Sequence, residues 1–151
     1  MKQRWVVVGI LALALFAVNG IARLIVWLAG IADDQDQILA GLVSSAVAGL
    51  LAVAAGIRWG YLYPMPRVAG DLAVAIVAGA LLAVLVGPFF AGSTPLVEGV
   101  GFAFRQFLFV AGVLGFGAVL GVLLCMTAGK DWKSRGWKAH EERYRSRPKR
   151  V

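Results

Sequence analysis

Apolar residues fill four long runs of this chain, from Trp5 to about Leu28, Ile38 to Ile57, Val68 to Phe90 and Val100 to Met126, and polar residues gather between them. No run alternates with period two, which removes β-barrel spans. None carries the polar stripe at helical period that a water-soluble bundle needs, and Leu50 to Ala55 and Ala73 to Val86 are apolar on every face. A helix rising about 1.5 Å per residue crosses roughly 30 Å of hydrocarbon with about 20 apolar residues. Every run is long enough. The pattern therefore predicts an all-α polytopic membrane protein, with a four-helix transmembrane domain over 1–126 and a basic tail over 127–151 that is partly helical or disordered.

The connectors 29–37, 58–67 and 91–99 hold the Asp, Gly, Pro, Ser and Thr that helices avoid. Connectors this short make sequential helices antiparallel neighbours, so an antiparallel bundle is expected. Composition agrees, because 60% apolar residues in 151 exceed what one compact core can hide. Met1 to Arg4 before an apolar run also has the outline of a secretory leader. The run is longer than a leader's apolar core, contains Asn19 and Arg23, and precedes no small-x-small cleavage site, so it is expected to remain as a span.

Charge gives the expected orientation, since Lys and Arg in short flanking segments resist translocation. Lys2, Arg4, Arg58, Arg67 and nine Lys or Arg residues after Met126 belong to one side. The other side has Asp33, Asp34 and Asp36 in the first connector and Glu98 in the third, with no Lys or Arg in either. The expectation is a multi-pass protein of the cytoplasmic membrane with its N- and C-terminal segments in the cytoplasm. Trp5, Trp27, Trp59, Tyr61 and Tyr63 fall at helix ends and read as anchors at the headgroup level.

Within lipid, helices associate through small residues and interhelical hydrogen bonds. Gly41, Ser45 and Gly49 on the second run, Gly79, Ala83 and Gly87 on the third, and Gly117 and Gly121 on the fourth form such stripes. They suit bundle packing first, or a partner's transmembrane helix or a second copy of the chain. The likeness of Val47–Gly56 to Val77–Gly87 is too poor in polar matches to carry an internal repeat.

Ionisable groups inside spans are costly, so each needs a reason. Arg23 and Arg105 lie at similar depth below the outer side, and two readings stand. They snorkel to ion pairs, Arg23 to the acidic connector and Arg105 to Glu98 on one face of a helix starting near Pro95. Alternatively they form a positive site for an anionic ligand or lipid phosphate, which requires the first and fourth helices to touch. Asp71 is the only carboxylate inside a run, with Arg67 one turn before it and Arg58 at the adjacent helix end. A structural salt bridge is the expectation, and a proton or cation coupling site the sharper alternative. Asn19 is expected to hydrogen-bond with Ser44 or Ser45.

No catalytic, cofactor or metal constellation is visible. The one His, His140, lies in the tail, and the one Cys, Cys125, forms no CxxC pair. The tail interleaves basic and aromatic residues, and Trp132, Lys133, Arg135, Trp137 and Lys138 are expected to lie along anionic lipid headgroups. An acidic partner protein is an alternative and nucleic acid is disfavoured. These features point to a non-enzymatic accessory or scaffold component, with a small transporter or channel, for an anionic ligand or proton-coupled, as the other reading.

Overall fold

The computed structural model describes residues 2–31, 33–94, 96–97 and 99–145. They form α1 (Lys2–Leu28), α2 (Asp34–Leu62), α3 (Met65–Leu85), a 3-10 turn at Gly87–Ala91, α4 (Val100–Thr127) and α5 (Trp132–Arg145). No strand occurs among the described residues. Four helical stretches are long and apolar enough to cross a membrane.

The boundaries follow local chemistry. Asp33 caps α2 by accepting from the Gln35 amide at 3.3 Å, so the helix starts before its apolar run. It continues to Leu62, past the expected end at Ile57, because nothing before Pro64 breaks it. Pro64 then precedes α3, whose own Pro66 sits in the first turn where no amide partner is needed. The third run does not stay α-helical to Phe90. Pro88 has no N–H to give the helical ladder, and the chain tightens into the 3-10 turn, which ends at Gly92 with φ 67°. Gly99, with φ 90°, precedes α4, so that helix starts at Val100 rather than near Pro95.

The most extensive contact is α2 on α4, followed by α1 on α3, α1 on α2 and α3 on α4. The order around the bundle is therefore α1, α2, α4, α3, with α1 and α4 on one diagonal and α2 and α3, expected as neighbours from their short connector, on the other. Arg4 meets Asp71, Ala12 and Leu15 meet Gly79, and Arg23 meets Gly87, so α1 and α3 run in the same direction. Val53 meets Gly121 and Gly60 meets Cys125, which gives α2 and α4 a shared direction too.

Glycine sets the α2–α4 spacing. A Cβ at Gly117 would lie 2.5 Å from the Gly49 carbonyl oxygen, one at Gly121 would strike the Val53 carbonyl, and one at Gly56 the Ala118 carbonyl. Backbone therefore touches backbone, the geometry that small residues allow in lipid. Gly49, Gly79, Gly87, Gly117 and Gly121 all meet a neighbouring helix, and Ser45 and Ala83 are buried. Gly41 does not belong with them. It is exposed with nothing within 4 Å of a Cβ position, because close α2–α4 packing begins only near Gly49. Gly56 and Gly60 extend this seam beyond the expected stripe.

Val68 and Leu114 are the largest fully buried side chains. Trp59, expected at the headgroup level, is instead 5% exposed and packs in the core, while Trp5 and Trp27 are exposed. The tail is helical over α5. Asp131 accepts from the amides of Lys133 at 3.2 Å and Ser134 at 3.4 Å, which caps the helix. Hydrogen bonding from the Ser134 side chain and these amides holds the Asp131 carboxyl below the usual carboxylate range. A depressed native value means that the cap contributes fully above the ordinary pKa of about 3.9 and is lost as pH falls through the native value. Amide exchange in the first turn of α5 is expected to accelerate below about pH 4, and Asp131→Ala to give that fast exchange at neutral pH. Unchanged exchange in the variant would remove Asp131 as the cap.

Candidate functional site

The bundle has two chemically distinct ends. At the end carrying Arg4, Arg58 and α5, Asp71 is buried nearly two turns into α3. Arg4 reaches it from α1, donating from Nε to Oδ1 at 2.8 Å and from Nη2 to the same oxygen. Arg67 lies one turn earlier on α3, its Nε 3.5 Å from Oδ2. That second contact is electrostatic, since Nε makes no hydrogen bond. The carboxylate is 6% exposed and the arginines 39% and 36%, so a nearly dry anion is clasped between two cations that still reach the surface. A dry anion needs such partners.

Aromatic rings hold this end together. Arg67 lies 3.9 Å over the Tyr63 ring, and Arg135 of α5 lies 4.0 Å over the Tyr61 ring while donating to the Tyr61 carbonyl at 3.3 Å. Lys138 donates to the Gly129 carbonyl at 3.3 Å. Arg135 and Lys138, expected at lipid headgroups, thus have protein partners as well, whereas the rings of Trp132 and Trp137 are exposed. Lys133 is exposed, its side chain without a hydrogen bond among the described residues. A groove of about 470 Å³ between the last turns of α2 and α4 has Arg58 and Lys130 in its lining.

The other end is open. A cleft of about 730 Å³ is lined from all four long helices and the 3-10 turn. Asn19 and Arg23 contribute from α1, Ser44 and Ser45 from α2, and Gln106 from α4. The 3-10 turn lets Arg23 fit, because its guanidinium packs where a Cβ on Gly87 would stand, with Nε 3.3 Å from that position. Ser44 turns back to donate to the Gly41 carbonyl at 2.9 Å. Among the described residues, Arg23 has no salt bridge, and Asn19, Arg23, Ser45 and Gln106 form no side-chain hydrogen bond.

Several expectations change on these facts. Asp71 is ion-paired as expected, but its strongest partner is Arg4, and Arg58 is exposed and unconnected to it. The distant Arg4 had no local signal beyond its charge at the same bundle end. Arg23 and Arg105 do not form one site: α1 and α4 are diagonal, and Arg105 is exposed outside the cleft lining. Its neighbour Gln106 faces the cleft instead, a residue that sequence reasoning missed although one step along a helix turns a side chain by about 100°. Asn19 does not bond to Ser44 or Ser45, though all three line the same space. Arg23 makes no ion pair with Asp33 or Asp36, and the side chain of Asp34, the third expected partner, lies outside those described. Glu98, the expected partner of Arg105, lies outside the described residues.

Among the described residues no group of His, Cys, Asp and Glu could hold a metal ion. Comparison of this chain with protein-family models, with curated proteins and with solved structures finds no match, so its chemistry is read from the bundle itself.

Proposed function

We propose that this chain is a non-enzymatic component of the cytoplasmic membrane, an antiparallel four-helix bundle with its Lys2 end and α5 in the cytoplasm, which holds a ligand from the outer side. The orientation rests on Lys and Arg at one end against the acidic connector at the other. The observation that carries the function is the asymmetry of the bundle. Asp71 is clasped by Arg4 and Arg67 at the cytoplasmic end, while the outer half opens into a cleft with polar side chains. A one-sided cleft above a closed clasp favours holding over conduction. The glycine stripes support a self-contained binding bundle over a docking scaffold, since all of their glycines but Gly41 meet another helix of the chain.

A small transporter is the second reading. The same cleft favours it, because a chamber open on one side and closed by ion pairs on the other matches one state of alternating access. Proteoliposomes with the chain at defined orientation separate the two. Under the holding reading, anion and proton flux equal that of empty vesicles, and Asp71→Asn does not raise it. Flux above empty vesicles that Asp71→Asn abolishes would replace holding by transport.

A further inference from the structure

The outer cleft brings a cation and an apolar slot together. Arg23 lies within the last two turns of α1, half-buried and without a carboxylate among the described residues. A guanidinium below the outer rim of a bilayer is costly unless an anion or the interface reaches it. Asn19, Ser45 and Gln106 line the same space with their hydrogen-bonding groups unused. Asp33 and Asp36 stand at this end of the molecule but do not line the cleft.

The walls identify the class of ligand. Ile38, Leu42, Phe102 and Phe109 line the cleft and are 65%, 52%, 49% and 50% exposed, far more than a closed cavity would allow. The cleft is therefore open, and its walls are of the apolar kind that acyl chains cover. Gln37, Ser93 and Thr94 also line the cleft, so its rim is not apolar throughout, but a soluble anion bound there would leave the apolar walls uncovered. A phospholipid brings both parts: phosphate oxygens that accept bidentately from a guanidinium, and chains that cover the walls.

Resting on the reading that these helices span a bilayer, we propose that the cleft holds one anionic phospholipid of the outer leaflet. Its phosphate sits on Arg23, with Asn19, Ser45 and Gln106 donating to headgroup oxygens and its chains along Ile38, Leu42, Phe102 and Phe109. Arg23 is thus a headgroup receptor.

The test uses the full chain in nanodiscs of phosphatidylcholine carrying a minority of phosphatidylglycerol, released into mild detergent and weighed by native mass spectrometry. One phosphatidylglycerol is expected to stay bound, with occupancy falling at least about tenfold in Arg23→Gln and recovering in part in Arg23→Lys. Ala103→Phe, which fills the cleft and keeps the charge, is expected to lose the lipid too. Arg105→Gln, outside the cleft, is expected to keep it. Equal retention by wild type and Arg23→Gln overturns the proposal. So does loss in Arg58→Gln alone, which would put the lipid in the groove at the other end, or displacement by millimolar inorganic phosphate, which would make the ligand a soluble anion. A chain that enters no nanodisc fails the membrane reading itself, whereas one that enters and keeps no lipid fails only this proposal.

Discussion

Gly121→Leu is expected to leave little folded protein. A Cβ there would collide with the Val53 carbonyl and stand 2.8 Å from its carbon, and those atoms belong to the α2 backbone, which cannot turn aside as a side chain can. Relief requires α2 and α4 to separate, which breaks the packing of Gly49, Gly56 and Gly117 along the same seam. Overpacking a close-fitting core commonly costs about 1–3 kcal/mol, and a collision with backbone lies at or above the top of that range. Where total stability is about 5–15 kcal/mol, that loss is expected to move the chain from a single gel-filtration peak to aggregate. Gly112 is the control: it lies on the same helix with nothing within 4 Å of its Cβ position, so Gly112→Leu is expected to melt within a few degrees of wild type. Equal behaviour of the two variants would show that α2 and α4 do not meet through this seam.

Asp71→Asn is expected to be the next most damaging change, by about 1–3 kcal/mol. Breaking a fully buried pair costs about 3–5 kcal/mol, and exposure of Arg4 and Arg67 by more than a third reduces that through solvent screening. The variant leaves two cations facing each other with no anion between them. Thermal denaturation of Asp71→Asn, Arg4→Gln and the double variant gives the coupling directly. It is expected to exceed about 1 kcal/mol for Arg4 and to be smaller for Arg67, whose contact lacks a hydrogen bond. Additive effects for Arg4 and Asp71 would mean that the clasp does not form.

The helices were legible in the sequence because hydropathy and length act locally, and each run declares itself without knowledge of the others. The small-residue stripes were legible for the same reason, since spacing along one helix defines a face. The order of helices around the bundle was not. Short connectors predict that sequential helices are neighbours, yet α2 and α3 lie on a diagonal and the most extensive contact joins α2 to α4, and no pattern within a run encodes that choice. The Arg23 and Arg105 pairing failed on this point. Gly87 and Pro88 did announce the break in the third run, as Gly-Pro pairs punctuate helices, but uninterrupted hydropathy across it masked the signal. Gln106 carries no charge to mark it, and only the helix phase set by the neighbouring elements turns it, and not Arg105, into the cleft.

The clasp joins residues 67 positions apart, and that separation sets an order of events during synthesis. When α1 and α2 have left the ribosome as a hairpin, neither has met its main mate: Arg4 waits for α3, and the glycine face of α2 waits for α4. On the proposed membrane-spanning reading, the early hairpin therefore offers both a lone cation and a bare backbone seam to its surroundings. The seam closes only with α4, so on the membrane-spanning reading a chain interrupted after α3 would hold its clasp and still bear a bare glycine face of the kind that quality control selects.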